Sequence, residues 1–88
     1  MTTEAVNNSL ENIVLDFPLT IDGREVTSLA LRRPKVRDLL EAQKSGGNDS
    51  EQELALFGRL TGVNPEELRN LDMRDYRKVQ RAYEAFLS

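Results

Sequence analysis

From Ile13 the chain alternates between apolar and polar positions. Ile13, Leu15, Phe17, Leu19 and Ile21 fall on one side, and Asp16, Thr20 and Asp22 on the other. A period of two over this length predicts a half-buried strand. Pro18 has no N–H to give to a ladder, so the strand must be an edge at that point. Asp22-Gly23 is a turn signal, and a second short strand follows in which Thr27, Leu29 and Leu31 alternate with Ser28 and Ala30. The register can be argued from the faces. A two-residue loop at Asp22-Gly23 sets Leu15 across from Ala30 and leaves Leu29 and Leu31 on the opposite face. A three-residue loop, Ile21-Asp22-Gly23, sets Leu15 against Leu29 and puts both apolar rows on one side. A slip of one residue moves a whole row to the other face. The three-residue loop is therefore expected, with Gly23 at positive φ in a bulge. The hairpin spans about residues 12–31.

Beyond it the period becomes helical. Pro34 suits a first helical position, and Val36, Leu39, Leu40 and Gln43 follow the i, i+3, i+4, i+7 pattern, which predicts a helix over about 34–45. Gly46-Gly47 ends it. Ser50-Glu51-Gln52-Glu53 reads as a capping box opening a helix over about 50–61, with Leu54, Phe57 and Leu60 inward, Leu56 close by and Gly62 as the stop. Asn64, Pro65 and Glu67 start a short helix over about 65–71, with Leu68 and Leu71 inward. Asp72 caps a last helix over about 73–87, with Asp75 as its third residue. On a helical wheel Met73, Tyr76, Val79, Gln80, Tyr83, Phe86 and Leu87 fill one face, and Arg74, Arg77, Lys78 and Arg81 the opposite one. The fold class is α+β: an N-terminal β-hairpin followed by four short α-helices packed over one of its faces. Residues 1–10 are polar and aperiodic and are expected to form a disordered tail, with 11–88 as a single small domain.

Composition narrows the function classes. The chain has 88 residues with no cysteine and no histidine. A disulfide framework and a thiolate metal site are excluded, and the commonest general base and metal ligand are missing. No enzyme activity, cofactor or metal is expected. The net charge is −3, which does not favour a dedicated nucleic-acid binder. Residues 1–31 carry five acids against one arginine, and residues 32–88 ten acids against eleven bases. No apolar run is long enough to span a membrane, and the N-terminus has no basic region followed by an apolar one. A cytoplasmic protein is the simplest reading.

Four constellations stand out, each with a plain structural explanation beside it. Arg74, Arg77, Lys78 and Arg81 could meet phosphates, but no aromatic is interleaved for base stacking, and a solvated helix face accounts for them. Arg32-Arg33-Pro34-Lys35-Val36-Arg37 could contact an anionic partner or form a polar connector with surface ion pairs. The paired acids Glu66-Glu67 and Asp72/Asp75 sit where helix starts favour negative charge, so capping explains them better than metal binding. The apolar set Phe57, Tyr76, Tyr83, Phe86 and Leu87 divides between core and docking surface. Most must be core in so small a chain, and Phe86 and Leu87 are the leading candidates for a patch that a partner covers. The candidate partner-binding residues are Phe57, Tyr76, Tyr83, Phe86, Leu87, Arg32 and Arg33.

Four blocks, in their order and spacing, carry a resemblance. They are Ile21-Asp22-Gly23-Arg24-Glu25-Val26-Thr27-Ser28-Leu29, Leu31-Arg32-Arg33-Pro34-Lys35-Val36-Arg37-Asp38-Leu39, Leu60-Thr61-Gly62-Val63-Asn64-Pro65-Glu66-Glu67-Leu68 and Leu71-Asp72-Met73-Arg74-Asp75-Tyr76. Over roughly residues 12–87 the chain resembles the tail assembly chaperones of Mu-like and P2-like contractile-tailed phages and prophages. The resemblance implies a non-catalytic protein of the host cytoplasm, absent from the finished virion. It implies that the protein binds the tape measure protein, a long helical polypeptide, and keeps it soluble until the tail tube protein polymerises around it. A frameshift-extended form of the chain and the tail tube protein are further partners implied in this way. Ala85-Phe86-Leu87 is compatible with a slippery T TTT TTG heptamer in the coding sequence. Two other readings stay open: a small nucleic-acid-associated protein using the basic helix face, and a minor structural tail component.

Overall fold

The computed structural model describes residues 10–88; the expected tail lies almost wholly outside the described residues. Strand β1 (Leu10–Ile21) and strand β2 (Arg24–Arg32) form an antiparallel hairpin, followed by helices α1 (Val36–Lys44), α2 (Asp49–Thr61), α3 (Pro65–Leu68) and α4 (Met73–Leu87). The α+β order is the one read from the sequence. The hairpin contributes Ile13, Leu15, Leu19, Leu29 and Leu31 to the core, and the helices contribute Ala42, Leu56, Phe57, Leu60, Leu68 and Val79. No helix among the described residues is long and apolar enough to cross a membrane.

The turn differs from the expected one. Ile21 pairs with Arg24, leaving a two-residue loop in which Asp22 has φ 52° and Gly23 φ 76°. Two positive φ values mark a type I′ turn, whose twist matches that of the strands. Leu15 does not meet Leu29; Ile13 does. The faces are reconciled elsewhere. Pairing is regular from Ile21 back to Leu19, opposite Val26, and resumes at Val14, opposite Ser28. Residues 15–18 of β1 therefore face Thr27 alone. This four-residue irregularity changes the parity of the pairing, so that Ile13 and Leu29 share the buried face. Pro18 lies inside the bulge, where its missing N–H costs no ladder bond.

Bulges leave amides unpaired, and here α4 supplies the acceptor. The Asp75 carboxylate receives the Asp16 N–H at 2.8 Å and the Phe17 N–H at 2.9 Å. Asp75 was expected only as an acid in a first helical turn. It is fully buried, and Asp72 alone caps α4 by accepting from the Arg74 N–H. Burial pushes the Asp75 carboxyl up, but the two amides and the Lys78 ammonium outweigh it and hold the pKa below the usual range. Lys78 also donates to the Val14 carbonyl at 2.9 Å. Asp75→Ala would strand two amides and is expected to cost about 2 kcal/mol in urea unfolding.

Two helix starts also shift. Lys35 is the residue before α1, and Pro34, expected as a first helical residue, stands outside the helix. The capping box of α2 is built on Asn48 rather than Ser50: Asn48 accepts from the Glu51 N–H at 2.9 Å and its own N–H donates to Glu51 at 3.0 Å. α3 ends at Leu68, three residues early, and Leu71 lies in the turn that follows.

Candidate functional site

Helix α1 is oriented against its apolar pattern. Val36, Leu39 and Leu40, expected to face the core, are 74%, 45% and 53% exposed. The residues that point inward are Asp38, at 0%, and Ala42. The cause is electrostatic. Arg32, at the end of β2, grips Asp38 in a fork, with Nη1 to Oδ2 at 2.9 Å and Nη2 to Oδ1 at 2.7 Å. Arg59 of α2 adds Nε to Oδ1 at 3.1 Å, and the Lys35 N–H donates to Oδ2 at 2.9 Å. These bonds, led by the Arg32 fork, hold the Asp38 carboxyl far below the usual carboxylate range despite its burial. A carboxylate so completely satisfied fixes which face of α1 turns inward, and the apolar stripe is left outside.

That stripe continues onto α4. Leu39, Ala42, Leu56 and Tyr83 line the apolar side of a hollow of about 190 Å³ between α1, α2 and α4, and Gln43, Asp49, Gln52 and Glu53 line its polar side. The Arg33 guanidinium lies 5.5 Å from the centre of the Phe86 ring, a cation–π contact. Leu87, the next residue, is 62% exposed. The α1 stripe thus meets α4 at Leu39 and Tyr83, and Arg33, just ahead of α1, packs on Phe86.

The remaining candidate residues lie elsewhere. Phe57 is buried in the core, with Tyr76 and Tyr83 rings 5.7 Å and 5.5 Å away. Arg32 belongs to the Asp38 clamp. Tyr76 borders a separate groove with Leu54, Leu71 and Met73, and its hydroxyl donates to Glu53. Burial and the Glu53 carboxylate push the Tyr76 hydroxyl well above its ordinary pKa, so it stays a donor at physiological pH. Met73, placed inward by the wheel, is 62% exposed, because the core face of α4 is centred on Asp75 and Val79.

The basic side of α4 is partly consumed within the fold. Arg74 pairs with Asp16 at 3.0 Å and Lys78 with Asp16 at 3.1 Å. Among the described residues Arg77 and Arg81 form no ion pair. Arg77→Ala is expected to change stability by no more than about 0.5 kcal/mol, read from thermal melts. Among the described residues no cluster of acids could hold a metal ion.

Residues 12–88 match the model of the family described as "Phage tail assembly chaperone proteins, E, or 41 or 14". The chain belongs to that family. A tail assembly chaperone acts in the infected cell while the tail is built, through contacts with tail proteins, and an exposed apolar surface beside a charged connector suits such contacts. Among curated proteins and among solved structures nothing matches this chain.

Sequence reasoning singled out Tyr83, Phe86, Leu87 and Arg33 as candidate partner contacts and did not single out Val36, Leu39 and Leu40, which the structure exposes. The available signal was Asp38, an acid at the third position of a helix that follows two arginines.

Proposed function

We propose that this tail assembly chaperone binds the tape measure protein in the host cytoplasm, keeps it soluble while the tail tube forms, and leaves before the virion is complete. The observation that carries this reading is the outward stripe of α1, where three large aliphatic side chains in five residues face solvent. Such a stripe has a cost in water and a use only when covered. A tape measure protein presents long apolar helical faces before it is enclosed, and laying helix against helix hides both surfaces. Many copies bound along one long partner make weak individual contacts sufficient. The reading involves no reaction step and no cofactor.

Co-expression tests it. The tape measure protein alone is expected in the insoluble fraction, and with this chain in the soluble fraction as a co-purifying complex. An equally insoluble tape measure protein in both cultures rejects the proposal. Purified virions analysed by mass spectrometry should lack the chain; its presence at stoichiometric level would favour a structural tail component.

A further inference from the structure

The apolar strip on α1 has a positive border. Arg33 and Arg37 lie towards its N-terminal end, while Lys44 at the other end is paired with Glu41 at 3.4 Å. Residues 32–44 hold five bases against two acids, and one of those acids, Asp38, is buried between Arg32 and Arg59. The rest of the chain holds thirteen acids against seven bases. The strip is therefore a basic-edged apolar surface on an otherwise acidic molecule. On the wheel of α1, Arg37 lies on the flank next to Leu40, with the Lys44–Glu41 pair on the same side. Leu39 lies on the other side, at the mouth of the hollow it forms with Tyr83. A hollow of about 190 Å³ has room for one side chain, whose apolar part would lie against Leu39, Leu56 and Tyr83 and away from Asp49 and Glu53.

We infer that this face takes an amphipathic helix of the partner whose apolar stripe is flanked on one side by acidic residues. The inference rests on the chaperone reading above and specifies where and what the chain binds. Apolar side chains spaced i, i+3, i+4 and i+7 on that helix lie along Val36, Leu39 and Leu40, and one of them enters the hollow. Carboxylates on its flank meet Arg33 and Arg37, where guanidinium–carboxylate bonds set direction and register. A second copy of this chain is a poorer occupant. A two-fold contact of α1 with α1 would bring the same basic border against itself.

Overlapping segments of the tape measure protein, about 30 residues each, would be titrated into the purified full chain and followed by fluorescence anisotropy. Segments that bind are expected to carry acids on one flank. Binding should weaken at least tenfold with L39E/L40E and with R33E/R37E, while L10E, on the outer face of the sheet, behaves as the parent. All these positions are at the surface, so each variant is expected to stay folded, with R33E/R37E losing only the Arg33–Phe86 contact, and thermal melts check this. A segment with its flanking acids changed to lysine should bind R33E/R37E better than the parent. Equal binding by the parent and L39E/L40E overturns the inference and leaves the chaperone reading standing. Binding that ignores flank charge also overturns it, as does a parent dimer that L39E/L40E makes monomeric without loss of segment binding. If no segment binds the parent the inference falls, and the co-expression result then decides whether the chaperone reading falls with it.

Discussion

Phe57→Ala is expected to lower unfolding free energy by about 3–5 kcal/mol, the usual range for truncating a buried aromatic. Phe57 is 1% exposed and lies at the meeting point of the hairpin and the helices, with two tyrosine rings edge-on or tilted against it. Removing the ring deletes both aromatic contacts and leaves a space that Leu56 and Leu60, fixed on the same helix, are poorly placed to fill. A chain of this size starts with stability on the order of 5 kcal/mol. The variant should therefore melt roughly 15–30 °C below the parent, or be unfolded at 37 °C. Differential scanning calorimetry is the check, and an unchanged melting temperature would contradict the core placement of Phe57.

Asp38→Asn should cost about 3 kcal/mol, the low end for breaking a buried ion pair. The low end applies because Arg32 and Arg59, each 38% exposed at the side chain, can recover part of their hydration. The pH dependence separates this from a packing defect. The folded-state pKa of Asp38 is depressed, so its contribution is present above the unfolded carboxylate value of about 3.9 and is lost as pH falls towards the folded value. Asp75 is depressed too and adds to the same acid loss. Between about pH 5 and pH 2 the stability of Asp38→Asn should fall less steeply than that of the parent, measured by urea midpoints. Parallel curves for the two proteins would contradict the clamp.

The parts of the fold that follow from local chemistry were legible in the sequence. Asp22-Gly23, Gly62, Asn64-Pro65 and Asp72 mark their turn, stop and caps without help from the rest of the chain. The requirement that Leu29 share a face with β1 was also legible, but not its solution. Parity can be changed at the turn or in mid-strand, and the bulge wins because Asp75, about sixty positions away, receives its amides. The same long reach hid the face of α1. Its aliphatic spacing pointed Val36, Leu39 and Leu40 inward, whereas Arg32 and Arg59 draw Asp38 in and turn them out. No local pattern identifies which of several arginines will close on an acid.

The candidate surface was half visible for a related reason. Phe86 and Leu87 stand out because a helix end is hard to cover, and that argument needs no partner element. Val36, Leu39 and Leu40 could not be recognised as surface while their spacing alone was considered, because a core stripe and a docking stripe share one period. What separates them is the buried carboxylate on the opposite side of the same helix.

The chaperone activity itself is open to a direct measurement with purified components. Tape measure protein diluted from denaturant should scatter light as it aggregates, and this chain, added in increasing amounts, should suppress the scattering until the partner is saturated. Scattering that stays the same at every ratio would contradict the idea that this small fold works by covering an apolar helical protein.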